Sequence, residues 1–322
     1  MKTSEKILEY LGMNKQATVN ELVDYLNISR MAVSKQLSNL LAEDKVYKIG
    51  KPPKVFYLPK GEKEEIQADG IIGSARSVIE KKYLIITPFG ERKQGVEGFI
   101  YWCKNNNLSI EKTANEYVKT LEKYQSFRKN GFFNGMLKFK STFDEVNLDE
   151  VFYLEFYSIE RFGKTKLGQL LLYAKQSQNK KLMKELAEDI RDSVNKLIKR
   201  YKIDAVGFIP PTVKREVQFM KELEKNLHLD IRKISIVKVK TDIAVPQKTL
   251  NKLKDRIENA QKTIVINEFG KYKNILLIDD AVGSGATLNE TAGKIKERGT
   301  AKKVIGLSIT GSFKGFDIIS EV

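Results

Sequence analysis

The chain has 322 residues, with 57 Lys and Arg against 41 Asp and Glu, a formal net charge of +16. This length allows two or three domains, and the basic excess favours nucleic acid, an anionic membrane or anionic small ligands as partners, although a lysine-rich proteome would give the same charge. The lone cysteine, Cys103, excludes a disulfide scaffold and a structural zinc ribbon and fits a reducing compartment.

Residues 4–58 predict three helices followed by two strands. The first helix has an apolar stripe that begins at Ile7. Residues 18–21, Thr-Val-Asn-Glu, form a capping box for the second helix, and Ser29 is the expected N-cap of the third. The third helix is expected to direct four apolar side chains inward: Met31, Val33, Leu37 and Leu40. The strands are expected at 45–49 and 54–58, joined by a turn at 50–53.

The polar face of the third helix combines short side chains with cations, as entry into the major groove and contact with phosphates require. Its members are Arg30, Ser34, Lys35, Ser38 and Asn39. The two strands and the turn between them form a wing that adds Lys48, Lys51 and Lys54. Residues 27–40 resemble bacterial and archaeal winged helix-turn-helix regulators, which implies that residues 1–60 bind double-stranded DNA. The alternative is a winged helix used for protein contacts or dimerisation.

Residues 61–82 are rich in charge and glycine and are predicted to be a linker. Residues 83–150 are a hood-like or intermediate region, with a strand expected at 83–87 and a helix at 111–129. The phenylalanines of this region fit a core better than a stacking platform, and no catalytic motif is recognised in it.

Residues 151–322 alternate strand-like and helix-like segments, which predicts an α/β domain with a doubly wound parallel sheet. Strands are expected at 151–157, 205–209, 231–239, 273–278 and 303–309. Helices are expected at 182–197, 217–227 and 288–298.

Residues 275–287, Ile-Leu-Leu-Ile-Asp-Asp-Ala-Val-Gly-Ser-Gly-Ala-Thr, are the most informative segment. Four apolar residues predict a buried strand, two carboxylates follow it, and a small-residue loop then opens a helix. In open α/β sheets ligands bind beyond the carboxyl ends of the strands, and such a loop offers backbone N–H groups to a phosphate. The carboxylates would repel that phosphate but suit hydroxyl groups or a metal on the same ligand. The pattern indicates a ribose 5-phosphate.

The segment resembles the 5-phosphoribosyl-1-pyrophosphate (PRPP) loop of type I phosphoribosyltransferases. The resemblance implies that Asp279 and Asp280 contact the ribose hydroxyls. It also implies a loop around the 5′-phosphate formed by Gly283, Ser284, Gly285, Ala286 and Thr287, with Gly283 in place of the usual Thr. Three other interpretations fit less well. A strand that ends in solvated acids would not explain the loop that follows. A P-loop would need a Lys at the end of the loop, and a response-regulator receiver domain would need more residues after the acids.

The order of parts in residues 152–312 resembles ComF-like phosphoribosyltransferases. This resemblance implies that Lys214 and Arg215 bind pyrophosphate. It also implies that Lys248 and Arg256 belong to a mobile loop, or lid, over the site and act in catalysis with Asp279 and Asp280. It further implies that Mg²⁺ arrives with PRPP, without direct protein ligands. For each of these cations a solvated surface charge is the alternative.

Two functions are consistent with these resemblances. One is a transcription regulator that responds to PRPP or a phosphoribosyl nucleotide. The other is a Mg²⁺-dependent phosphoribosyltransferase that transfers ribose 5-phosphate to a nucleobase or related acceptor and releases pyrophosphate. The basic lid favours turnover, whereas the fused winged helix and the unrecognised hood favour sensing. With no apolar run of ~18 residues and no signal peptide, we expect a cytoplasmic protein, without a membrane partner, that forms a homodimer.

Overall fold

The computed structural model describes residues 1–51, 54–60, 71, 73–211, 215–239, 245 and 249–312. The chain divides into two compact units, Met1–Gln67 and Ala68–Val322. The elements of the first unit are α1 (Thr3–Asn14), α2 (Val19–Leu26), α3 (Arg30–Ala42), β1 (Val46–Lys51) and β2 (Lys54–Pro59), and the two strands pair antiparallel.

All three helices of the first unit contribute to one core, together with β1. Its buried side chains are Ile7, Leu11, Ala17, Leu22, Val33, Leu37, Leu40 and Val46. The capping box of α2 is present, because Thr18 N donates to the Glu21 carboxylate at 2.6 Å and Glu21 N donates to Thr18 Oγ1 at 3.3 Å. Ser29 caps α3 by accepting from Ala32 N at 3.2 Å. The predicted helix starts are therefore confirmed.

The prediction that Met31 faces this core is wrong, because its side chain is 83% exposed. The buried stripe of α3 is set by Val33, Leu37 and Leu40, which are spaced four and three residues apart. Residue 31 lies roughly 200° around the helix from residue 33, on the opposite side. Met31 thus shares the exposed face of α3 with Lys35 and Ser38.

The second unit contains nine helices and eleven strands among its described residues. Its helices are α4 (Ser74–Lys82), α5 (Gly95–Asn105), α6 (Ile110–Gln125), α7 (Met136–Thr142), α8 (Lys166–Ser177), α9 (Lys180–Arg200), α10 (Phe219–Leu227), α11 (Leu253–Thr263) and α12 (Ala286–Glu297). Its strands are β3 (Leu84–Ile86), β4 (Arg92–Gln94), β5 (Arg128–Lys129), β6 (Phe132–Asn134), β7 (Glu150–Phe156), β8 (Ala205–Phe208), β9 (Arg232–Lys233), β10 (Ile236–Lys238), β11 (Ile264–Ile266), β12 (Tyr272–Val282) and β13 (Ala301–Gly311). In the described part of the chain, no helix combines the length and the apolar character needed to cross a bilayer.

Seven strands form a central sheet in the order β5-β6-β7-β13-β12-β8-β9. The five strands from β7 to β9 in this order are parallel, and β5 and β6 extend one edge in antiparallel fashion. The predicted α/β fold around a mostly parallel sheet is therefore confirmed. From β8 the chain moves outward to β9, and from β12 it moves in the opposite direction to β13. Neighbouring strands β8 and β12 thus flank the point where strand order reverses.

Helices cover both faces of the sheet. Helices α8, α9 and α10 pack on the face toward which Leu276 and Ile278 of β12 point. Helix α12 covers the opposite face, which receives Ile275 and Leu277 together with side chains of α4 to α7. Successive residues of β12 therefore serve opposite cores, as the alternation of side chains along a strand requires.

Three regions differ from their predicted description. The predicted linker 61–82 includes α4, whose Ala75 and Ile79 are buried in the core of the second unit. Residues 83–150 are not separate from the following domain, because β5 and β6 belong to the central sheet. The strand expected at 231–239 is divided between β9, in that sheet, and β10, which pairs with β11 outside it. Ile234 and Ile236, two residues apart, still point into the same core.

Candidate ligand site at the switch point of the sheet

The acid pair lies at the carboxyl edge of the sheet, beside the switch point. Ile278 of β12 is in register with Phe208, the last residue of β8, and Asp279 is in register with Ser308 of β13. The strand was expected to end before the acids, but it continues to Val282 because β13 also continues and pairs with it. Asp279 and Asp280 are thus strand residues, and their side chains point to opposite faces of the sheet.

Asp280 meets a lysine that the sequence pattern did not reveal. Lys175 Nζ, near the end of α8, lies 2.6 Å from Asp280 Oδ2. Both side chains are largely withdrawn from solvent, with 15% and 20% of their surfaces exposed. Charge-assisted bonds of this kind are short and strong, and partial burial shields them from screening by salt.

The same end of α8 holds the segment that follows β8, where the pyrophosphate site was predicted. Arg215 Nη1 donates to the main-chain oxygen of Lys175. Val217 N donates to Gln178 Oε1 at 2.8 Å, and Gln218 Nε2 donates back to the Arg215 oxygen at 2.9 Å. Lys175 therefore contacts Asp280 through its side chain and Arg215 through its main chain. The other predicted pyrophosphate ligand, Lys214, lies outside the described residues.

A second lysine, Lys238 of β10, acts on Asp279 through its charge. Asp279 Oδ1 accepts from Asp280 N at 2.8 Å. Removal from water, together with the neighbouring Asp280 charge, raises the pKa of Asp279 to about 7, against the opposing effect of Lys175 and Lys238. Burial lowers the pKa of Lys238 to about 8, although Asp279 acts to raise it. Lys238 Nζ also lies 3.5 Å from Asn259 Oδ1 of α11. Lys175 is thus the lysine in direct contact with the acid pair.

The loop after the acids is fixed by its own backbone and by α7. Ser284 is buried, and its Oγ accepts from Ala286 N at 3.3 Å. Gly285 has φ +85°, and a Cβ placed there would lie 2.5 Å from Cζ of the fully buried Phe139. Helix α12 starts at the next residue. Its first turn, which includes Thr287, has N–H groups that lack partners within the helix and that point towards the start of the helix.

Helix α12 is anchored in place by its buried Asn289. The side chain accepts from Asn147 N at 2.9 Å and donates to the Glu145 oxygen at 3.0 Å. The helix start, the loop 283–285 and the acid pair therefore belong to one fixed arrangement, with potential phosphate donors at one end and hydroxyl acceptors at the other.

Of the two predicted lid cations, Lys248 and Arg256, the structure describes only Arg256. Lys248 lies outside the described residues. Arg256 is 5% exposed, its Nε donates to the Leu250 oxygen at 2.7 Å, and burial lowers its pKa. The alternative of a solvated surface charge is therefore wrong for Arg256, because α11 (Leu253–Thr263) turns this side chain inward, while its part in catalysis stays a prediction. Arg256 holds the segment that precedes α11.

The candidate DNA-contact residues whose side chains are described are all exposed in the first unit. Ser34, Lys35, Ser38 and Asn39 are all exposed along α3, and Lys48 is exposed on β1. Arg30 is also exposed, and its Nη1 donates to Asn20 Oδ1 of α2 at 2.9 Å. Lys51 and Lys54 face each other in the register of the two strands. Their side chains, like residues 52–53 of the predicted turn, lie outside the described part of the structure.

A separate cavity of about 270 Å³ opens at the carboxyl end of β7. It is lined by Lys81, Lys82, Arg128 and Lys166 and by the carboxyl groups of Glu155 and Asp189. Arg128 lies 3.2 Å from Glu155, whose pKa is raised by burial in spite of this neighbour. Lys166 and Lys175 stand at opposite ends of α8, about 13 Å apart along its axis. The cavity is therefore distinct from the acid pair.

The acid pair does not match the donor set of a protein-bound magnesium ion. In the described part of the chain, no group of three His, Cys, Asp or Glu side chains is placed to hold a metal. Lys175 is already 2.6 Å from Asp280, and a dication beside the same carboxylate would be repelled by that ammonium group.

The sequence matches no protein-family model, and no curated protein is significantly similar to it. The functional interpretation therefore depends on the site itself.

Proposed function

We propose that the second unit binds PRPP or a related phosphoribosyl ligand, and that the protein is a transcription regulator that responds to this ligand. The observation that carries the proposal is the acid pair at the switch point, followed directly by the small-residue loop that opens α12. Ligands of open α/β sheets bind in the crevice at such a point.

The geometry supports a separate set of protein groups for each part of the ligand. Internal bonds use Asp279 Oδ1 and Asp280 Oδ2, so the other oxygen of each carboxylate is left to accept from a ribose hydroxyl. A 5′-phosphate would receive N–H groups from residues 283–287 and the positive end of the α12 dipole. A pyrophosphate at the other end of the ribose would meet Arg215 and Lys175, which lie on the segment after β8 and on α8.

The first unit supports DNA binding as the output. Its exposed α3 face offers two cations, Arg30 and Lys35, three short polar side chains and the apolar Met31. Such a helix reads base edges while neighbouring cations hold phosphates. In a homodimer, two copies of α3 would meet two half-sites of an operator.

Catalytic transfer is the second candidate. The acceptor would attack C1 of the ribose, the bond from C1 to the pyrophosphate oxygen would break, and pyrophosphate would leave with its charge stabilised by cations. The basic lid was the main argument for turnover, and the inward position of Arg256 weakens that argument. The observation that favours this candidate is the pair of cations Lys175 and Arg215 beside Asp280, where a leaving pyrophosphate would lie.

The test is a PRPP titration of the full-length protein with and without DNA from its own promoter. If PRPP prefers one arrangement of the protein, it changes the affinity for DNA. Saturating DNA must then change the affinity for PRPP by the same factor. A scrambled duplex of equal length is the control. Unchanged PRPP affinity would contradict regulation. PRPP-dependent release of pyrophosphate with any candidate nucleobase would establish the transferase instead.

A further inference from the structure

Lys175 lies between the acid pair and the position that a bound pyrophosphate would occupy. Its ammonium group is 2.6 Å from Asp280 Oδ2, and its main-chain oxygen holds Arg215 of the predicted pyrophosphate segment. Its side chain is 15% exposed, and the Nζ lies 6.0 Å from the centre of the Phe219 ring. It is therefore a cation positioned by packing rather than a mobile surface charge.

A ligand that carries a pyrophosphate next to ribose hydroxyls creates an electrostatic problem at this site. The hydroxyls must approach Asp279 and Asp280, which places a highly charged anion close to two carboxylates. Some cation must lie between them, since unscreened like charges a few ångströms apart repel strongly in a crevice of low dielectric constant. A divalent ion could supply that charge, but the position beside Asp280 belongs to Lys175.

We propose that Lys175 takes the place of a divalent cation beside Asp280, so that this chain binds PRPP without Mg²⁺. The inference rests on the proposed function, because it concerns the same ligand. The observation that carries the inference is the 2.6 Å contact between Lys175 Nζ and Asp280 Oδ2, which places a positive charge directly against the carboxylate.

The prediction is tested by calorimetric titration of the full-length protein with PRPP, once in EDTA and once in excess Mg²⁺. Wild type should bind PRPP with affinities that agree within about threefold in the two buffers. Lys175→Met keeps the length of the side chain and removes its charge. Its affinity in EDTA should fall by about tenfold or more, as expected for loss of a hydrogen-bonded charge, and Mg²⁺ should restore most of it.

Two controls separate charge from packing. Lys166→Met removes a lysine at the other end of α8, which pairs with Asp189 at 3.4 Å, and should behave as wild type. Lys175→Arg keeps the positive charge and should remain independent of Mg²⁺. A Lys175→Met variant that does not fold, judged by circular dichroism, would leave the wild-type comparison decisive, because that comparison needs no substitution.

The outcomes are distinct. Wild type that binds PRPP only in Mg²⁺ would overturn the inference and leave the proposed function intact. If Lys175→Met binds PRPP equally well in EDTA and in Mg²⁺, the role of Lys175 is overturned. Wild type that fails to bind PRPP in either buffer would overturn the proposed function, and the inference with it.

Discussion

The backbone at Gly285 gives the sharpest test of how the phosphate loop is built. Replacement by Ala has two costs. The φ of +85° lies in the left-handed region, which costs an L-residue roughly 1–2 kcal/mol. The added Cβ would also lie 2.5 Å from Phe139 Cζ, inside a closed core, and overpacking of this kind costs roughly 1–3 kcal/mol. Gly285→Ala should therefore destabilise the second unit by about 2–5 kcal/mol.

Gly299 supplies a matched control within the same unit. Its φ is +64°, but no atom lies within 4 Å of a Cβ built there. Gly299→Ala should consequently show only the backbone cost, roughly 1–2 kcal/mol. Urea unfolding can be followed through Trp102, the only tryptophan of the chain, which lies in α5 and therefore reports on the second unit. Equal losses of stability for the two variants would refute the packing of the loop against Phe139.

Three further predictions concern the charges of the molecule. In the folded protein the pKa of Asp279 is about 7, which is above its ordinary value. The unfolded chain therefore loses this proton first as pH rises, and the stability contributed by Asp279 falls between about pH 4 and pH 7. In urea unfolding, the stability of Asp279→Asn relative to wild type should therefore increase between about pH 4 and pH 7 and stay level at higher pH, whereas a constant difference would contradict the raised pKa. Lys35→Ala should reduce the slope of log affinity for DNA against log salt by about one, and Lys6→Ala, an exposed lysine on α1, should leave the slope unchanged. Arg215→Ala should weaken PRPP more than ribose 5-phosphate, and calorimetry with Lys221→Ala, an exposed lysine on α10, should show no effect on either ligand.

Local patterns predicted the parts of the site that are contiguous in sequence. The apolar run, the two acids and the small-residue loop in residues 275–287 indicated a strand, a loop and a helix start, and the structure has these elements in that order. Caps at Thr18 and Ser29 were predictable for the same reason, since the groups that interact lie within three residues of each other.

The partners of the acids could not be predicted from local patterns. Lys175 is separated from Asp280 by 105 residues, and its position depends on how α8 crosses the sheet. The same holds for Lys238, which is separated from Asp279 by 41 residues (279 − 238). The error at Met31 and the buried position of Arg256 have one cause, which is that composition identifies apolar and charged residues but only the helix phase decides where each side chain points.

The most direct test of the central claim is calorimetric titration of PRPP into three proteins. The first is wild type, the second is Asp279→Asn with Asp280→Asn, and the third is Glu43→Gln with Asp44→Asn, which neutralises two adjacent acids of the first unit. Loss of two charged hydrogen-bond acceptors should weaken binding by at least about a hundredfold in the second protein. The third protein should bind as wild type does. Equal PRPP affinity in all three would contradict a ribose site at the acid pair.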